Sequence, residues 1–212
     1  VVGRVYDYEG EVDALMDEVE RDILRISESR VQSQTDTIKD LVHRAINTIE
    51  KFHQGQGQLT GVGTGFTDLD KMTSGLHGGE MIVIAARPSM GKTALGLTIA
   101  QHAALEQRVP IAFFSMEMSG AQVAQRLVCS HGHGIDLQRL RRRTLTDEEM
   151  RELLHACADF EQAPLYIDDN PHLTVMEIRG KARRLKAKLG DLGLIVIDYL
   201  QLMTGGKASV EN

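Results

Sequence analysis

Gly91, Lys92 and Thr93 stand in a row directly after an apolar run and a short polar turn, and those three residue types suit a polyphosphate. A glycine lets the backbone approach a ligand with no Cβ in the way. A lysine next to it can reach the β- and γ-phosphates of a nucleotide, and a threonine hydroxyl can ligate Mg²⁺. The turn before them is Ala86, Arg87, Pro88, Ser89 and Met90, and a helical pattern follows from Ala94. A turn that aims backbone N–H groups and a helix N-terminus at one point is an anion cradle. Strand, turn and helix in this order make a P-loop over residues 86–94. The general pattern asks for Gly at its first position, where this chain has Ala86. Alanine is tolerated there if its φ stays negative. The plainer reading is a Gly-Lys-Thr in an ordinary turn, and it leaves the flanking strand and helix unexplained.

Two carboxylates extend the chemistry. The run Leu194-Ile195-Val196-Ile197 ends in Asp198. Ligand sites of parallel sheets lie at the C-terminal ends of strands, so Asp198 belongs beside the P-loop as a direct or indirect Mg²⁺ carboxylate. Glu117 follows Phe113-Phe114-Ser115-Met116 by the same logic, and a carboxylate there can polarise a water for attack on the γ-phosphate. Tyr199, not an acid, follows Asp198, which disfavours ATPases that place the catalytic Glu directly after the Mg²⁺ Asp. Gln201 is placed either to sense the γ-phosphate or to contact the next element. The bland alternatives are a turn-capping Asp, a solvated Glu and an ordinary polar turn residue.

Other polar clusters carry less. Cys129, His131 and His133 have a spacing that does not match the usual zinc patterns. Cys157 falls on the apolar stripe of Met150, Leu153 and Leu154. Arg139, Arg141, Arg142 and Arg143 form one basic group, and Arg179, Lys181, Arg183, Arg184, Lys186 and Lys188 another. Such groups are usually solvated faces.

These residues need elements to hold them. The unbroken apolar run 81–86 reads as a strand buried on both faces. A helix over 93–106 follows, then strand 110–115, helix 120–130, a loop at 131–134 and a short basic helix at 137–142. Thr146 with Glu149, and Thr174 with Glu177, are capping-box pairs that start helices running to about 160 and 189. Strands are expected at 164–168 and 194–198. Strands alternating with helices imply an α/β fold with a mainly parallel sheet.

Upstream, apolar residues at Val12, Leu15, Met16, Val19, Ile23 and Ile26 have helical spacing over 10–28. Residues 29–35 read as a linker. A second amphipathic helix is expected over 36–53, with Ile38, Leu41, Val42, Ala45, Ile46, Ile49 and Phe52 on one face. Five glycines make 54–65 a flexible joint. An isolated helix of that length is marginal in water, so its apolar face must be covered by its own domain or by a neighbouring subunit.

Bulk properties set outer limits. The chain has 212 residues, 42% apolar, with no Trp. Lys plus Arg number 24 against 30 Asp plus Glu, and the net charge of −6 is unlike the basic footprint of a general nucleic-acid binder, although a local basic channel remains compatible with it. No apolar run approaches the roughly 18 residues of a membrane span. The start, Val1-Val2-Gly3-Arg4, lacks the features of a signal peptide, and it also lacks Met, as a fragment would. Two cysteines make no disulfide framework, and a reducing cytoplasm is the expected compartment.

Four separated stretches together resemble the bacterial replicative DNA helicases of the DnaB family. They are Thr64-Gly-Phe-Thr-Asp-Leu-Asp70, Ala85-Ala-Arg-Pro-Ser-Met-Gly-Lys-Thr93, Phe114-Ser-Met-Glu-Met118 and Ile197-Asp-Tyr-Leu-Gln-Leu-Met203. Ala86 fits this family's version of the P-loop, and the likeness covers residues 10–212. The resemblance implies a RecA-like P-loop ATPase core preceded by helical linker segments, in a hexameric ring that moves on single-stranded DNA with ATP and Mg²⁺. It implies Lys92 and Thr93 as Walker A residues, Asp198 as Walker B, Glu117 as catalytic base and Gln201 as the coupling residue. A primase and a helicase loader are implied as partners.

The domain plan implied is the end of a helical N-terminal domain and linker over 1–34, a linker helix and joint over 35–57, and the ATPase domain over 58–212. By the same resemblance the helix at 36–53 docks on the adjacent subunit. The family's later strands, DNA-binding loops and arginine finger have no counterpart in these residues. The chain alone is therefore expected to bind nucleotide weakly and not to unwind DNA. Two other functions share some of these parts: a RecA-like ATPase serving signalling, repair or assembly, and a small-molecule P-loop kinase. The kinase reading lacks an obvious acceptor-binding lid.

Overall fold

The computed structural model describes residues 37–39, 42–43, 46, 59–132 and 135–203. The expected helix over 10–28, the linker 29–35, most of the helix over 36–53, the first half of the joint and His133 lie outside the described residues. The chain divides into two units, 1–57 and 58–212, and each is described by itself. In the first, Ile38, Lys39, Val42, His43 and Ile46 are helical, and the His43 ring bonds the Lys39 carbonyl one turn back at 2.8 Å. Ile38, Val42 and Ile46, four residues apart on one face, are exposed.

In the second unit the elements run α1 (Thr67–Thr73), α2 (Lys92–Leu105), β1 (Ile111–Ser115), α3 (Gly120–His131), α4 (Leu137–Arg142), α5 (Asp147–Glu161), β2 (Leu165–Asp168), α6 (Val175–Leu189) and β3 (Leu194–Asp198), with a 3₁₀ turn at Leu200–Leu202. The three strands form one parallel sheet in the order β2-β1-β3, as the alternation of strands and helices implies for an α/β fold.

β1 is the middle strand and every residue of it is buried. Its side chains alternate between two cores, as the two-residue period of a strand requires. Ile111 and Phe113 pack with Leu97, Ala100, Val123 and Leu127 of α2 and α3. Ala112 and Phe114 pack with Leu173 and with Ile178 of α6 on the other side. Each fully buried Phe or Leu contributes about 1.5–3 kcal/mol of transfer free energy, and the two-sided burial explains why β1 reads as a continuous apolar run. On α2, Ala100, Ala103 and Ala104 are fully buried, and these small side chains bring the helix close to the sheet.

Both capping boxes form. The Thr146 hydroxyl accepts from the Glu149 N–H while the Glu149 carboxylate accepts from the Thr146 N–H, and Thr174 and Glu177 repeat the arrangement. Arg139 of α4 pairs with Glu149, Lys181 with Asp168 and Lys186 with Asp191. Part of both basic groups is thus tied to local carboxylates.

The run 81–86 corrects the reading of a buried strand. It has no ladder partner among the described residues. Met81, Ile82, Val83 and Ile84 are 83%, 53%, 60% and 39% exposed. Apolarity records a tendency to be buried, but a strand also needs a neighbour's backbone. Among the described residues the three strands pair only with one another.

α1 belongs to a segment that the periodicity left unassigned. Val62 and Leu76 form an antiparallel bridge around it. A Cβ on Gly61 would come within 2.5 Å of the Leu76 carbonyl oxygen, so this close approach needs glycine. Inside the loop the buried Asp70 carboxylate accepts from the Thr64 N–H at 2.8 Å, the Thr64 hydroxyl at 2.7 Å and the Gly65 N–H at 3.2 Å. Burial alone would raise its pKa, but these bonds and the nearby His102 outweigh it and hold the carboxyl below its ordinary value of 3.8. A depressed folded pKa contributes stability that is present above the unfolded value and is lost as pH falls through the folded one. Asp70→Ala is therefore expected to cost about 1–3 kcal/mol at neutral pH, through stranded Thr64 donors. The gap between variant and parent in urea melts should shrink only below the ordinary carboxylate pKa. A variant as stable as the parent at pH 7 would show that the network is not holding the loop.

Candidate nucleotide site

α2 begins at Lys92, and Gly91 is its N-cap with φ +86°. That left-handed conformation favours glycine, which is the local reason for Gly91. Ala86 is not among the residues with positive φ, so an alanine at that position carries no backbone penalty. Residues 86–90 form an exposed turn, with the Met90 N–H donating to the Arg87 carbonyl at 3.3 Å. The N-terminus of α2 has no side-chain cap, so its first N–H groups are open to an anion.

The C-terminal end of β3 comes to the same place. The Thr93 hydroxyl donates to Asp198 Oδ2 at 2.7 Å, across 105 positions of sequence. Asp198 is 5% exposed. β1 and β3 pair with Ser115 opposite Asp198, and the Met116 N–H donates to the Asp198 carbonyl at 2.9 Å. Glu117 is the next residue and is exposed at this same sheet edge. Gln201 is exposed on the 3₁₀ turn that leaves β3.

Thr93 and Asp198 supply a hydroxyl and a carboxylate at hydrogen-bond distance. Hard oxygen donors of this kind fit Mg²⁺, which commonly takes one or two protein ligands and completes its shell with water and phosphate. Among the described residues no group of three or more His, Cys, Asp or Glu could hold a metal. His131 is engaged elsewhere. Its Nε2 lies 2.9 Å from Asp159, and its ring meets Phe160 edge-on at 5.5 Å. Burial pushes the Cys129 thiol up, away from the reactive thiolate.

One contact was not legible in the sequence. Lys92 Nζ lies over the Tyr199 ring, 3.9 Å from its centroid. Tyr199 carried only negative information in the motif reading, as a residue that is not an acid. Nothing in its spacing points to a lysine more than a hundred residues away. A second unforeseen contact is Asp169, whose carboxylate accepts from the Gly120 N–H at 2.7 Å at the head of α3.

The family described as DnaB-like helicase C terminal domain matches residues 61–212. The chain is 44% identical over 207 residues to the replicative DNA helicase DnaB of Geobacillus stearothermophilus, covering 98% of this chain and 45% of that protein. It is 42% identical over 207 residues to the replicative DNA helicase DnaC of Bacillus subtilis (strain 168), with the same two coverages, 98% and 45%. Among solved structures, one described as an ATPase domain superposes with a TM-score of 0.75 at 31% identity, over 83% of this chain and 61% of that one. A DnaB-like replicative helicase, whose structure was described with its interactions with primase, gives a TM-score of 0.71 at 30% identity, over 91% of this chain and 46% of that one. The chain thus spans about half the length of the curated relatives it matches.

Proposed function

Because the chain belongs to the family of DnaB-like helicases and has their RecA-like α/β fold, we propose that it is the ATP-handling part of a replicative DNA helicase subunit that moves on single-stranded DNA as a ring hexamer. The observation that carries this reading is the 2.7 Å bond from Thr93 to Asp198. It joins the head of the P-loop helix to the end of the β3 strand, where a nucleoside triphosphate and its cation would meet. Lys92 neutralises charge on the β- and γ-phosphates, and the N–H groups of residues 86–91 other than Pro88, which has none, cradle them, with Ala94 in the first turn behind. Glu117 orients the attacking water and takes its proton, and Gln201 carries the state of the site toward the DNA. Thr93 and Asp198 would hold Mg²⁺, which would supply neutralisation of phosphate charge.

The same proposal assigns 58–212 to the ATPase domain, 35–57 to a linker helix and joint, and 1–34 to the end of a helical N-terminal domain. A primase and a loader are its partners by family likeness, and the cytoplasm is its compartment. Among the described residues no helix is long and apolar enough to cross a membrane. The test is ATP turnover by the complete gene product with and without single-stranded DNA. Stimulation is expected. Turnover indifferent to DNA would favour the alternative, a RecA-like ATPase serving signalling, repair or assembly.

The linker proposal has support of its own in the exposure of Ile38, Val42 and Ile46 on one helix face. A second copy of the chain would cover that face. Val42→Asp with Ile46→Asp would then place unpaired charge in an apolar contact, at a cost of several kcal/mol. Sedimentation should show smaller assemblies, while the circular dichroism melt of the ATPase domain stays unchanged. An intact hexamer with a lowered melting temperature would mean that the helix packs on its own subunit.

A further inference from the structure

The lysine of the site already has a partner on its own chain. Lys92 Nζ rests 3.9 Å from the centroid of Tyr199, well inside the roughly 6 Å over which a ring face attracts an ammonium. Both partners are anchored by their neighbours. Thr93, next to Lys92, is bonded to Asp198, next to Tyr199. The lysine that the reading above sends to the β- and γ-phosphates therefore begins on an aromatic face.

We propose that Tyr199 is a positioning residue that holds Lys92 when no nucleotide is bound and releases it to an arriving nucleoside polyphosphate. The proposal rests on the P-loop assignment and adds a partner to it. A charge-assisted bond to phosphate is stronger than a ring-face contact, so the polyphosphate wins the lysine. The ring contact nevertheless competes. A site whose key cation is engaged elsewhere binds more weakly by the fraction of time that cation is free. Cation–π contacts of ordinary strength make this a penalty of ~2–30-fold in affinity.

The release has a direct route onward. Tyr199 is the N-cap of the 3₁₀ turn Leu200–Leu202, and its carbonyl accepts from the Leu202 N–H at 3.1 Å. Gln201 sits in the middle of that turn. A ring that loses its cation is free to change rotamer at the base of the segment carrying Gln201.

The experiment measures binding of N-methylanthraniloyl-ADP to the full chain with Tyr, Phe or Leu at position 199, each with Lys92 or with Lys92→Met. Tyr199→Leu is expected to tighten binding ~2–30-fold when Lys92 is present and to change it less than ~2-fold beside Lys92→Met. Tyr199→Phe keeps the ring face and should behave as the parent. Proton–carbon spectra of the ¹³C-lysine-labelled chain give a second readout. The Lys92 ε-methylene protons should be shifted upfield by the ring in the empty parent and in Tyr199→Phe, return toward ordinary values on adding ADP, and be unshifted in Tyr199→Leu. Unchanged or weaker binding by Tyr199→Leu, or equal tightening beside Lys92→Met, overturns the proposal. ADP binding with the upfield shift retained overturns the release while leaving the P-loop assignment intact. No ADP binding by any variant, at millimolar ADP and at protein concentrations where sedimentation shows the chain dispersed, overturns the P-loop assignment, and the proposal with it.

Discussion

Lys92→Ala in the complete gene product should reduce ATP turnover by ~10³-fold or more. The loss expected is at least that of removing one preorganised donor from a developing charge, ~10²–10³-fold, and Lys92 carries a full charge as well. The backbone N–H groups that surround the phosphates remain, so residual nucleotide binding should persist at reduced affinity. The fold should survive, because Lys92 is only half-buried at the helix head and the core of α2 is made by Leu97, Ile99, Ala100, Ala103 and Ala104. Steady-state phosphate release, beside a circular dichroism melt, checks both halves. Near-normal turnover by a folded variant would exclude the P-loop assignment.

Glu117→Gln separates binding from chemistry. The side chain is exposed and lies one residue beyond Met116, whose N–H is bonded to the Asp198 carbonyl. It contributes nothing visible to the core, and the isosteric amide preserves its shape. Turnover should fall by ~10²–10⁴-fold, the usual contribution of a positioned general base, while nucleotide affinity changes little. That is the pattern of an interaction made only in the transition state. Equal losses in binding and turnover would reassign Glu117 to a structural role.

The sequence was most informative where local rules decide the outcome. Thr146 with Glu149 and Thr174 with Glu177 could be read as helix starts because a capping box is complete within four residues. The apolar run ending in Asp198 predicted a strand over the residues that form β3, Leu194–Asp198. The turn read before Gly91 is present, and Gly91 takes the left-handed conformation that favours glycine.

The misses share a cause. The run 81–86 has the composition of a buried strand, yet a strand exists only beside another backbone, and composition does not name that neighbour. Nothing in the sequence marks Asp70 as buried, because its three donors come from Thr64 and Gly65, held to it by the loop around Gly61 and Leu76. Tyr199 meets Lys92 only after β3 has been laid beside β1 and α2 packed across them. Such contacts are products of the tertiary arrangement and leave no period or spacing in the chain.

The exposed stretch Met81-Ile-Val-Ile-Ala-Ala86 also governs how the isolated chain behaves in the tube. Uncharged residues rich in β-branched side chains, with no proline among them, are the composition from which stacked intermolecular sheets are built. Pairing with the same stretch of another molecule would satisfy its N–H and C=O groups and cover its side chains in one step. The isolated chain should therefore lose solubility steeply as its concentration rises, and the loss should begin at the doorstep of the phosphate cradle. A precipitate formed this way would occlude the turn at Ala86–Gly91, so failing nucleotide binding in a concentrated sample would report on colloidal state before it reported on chemistry.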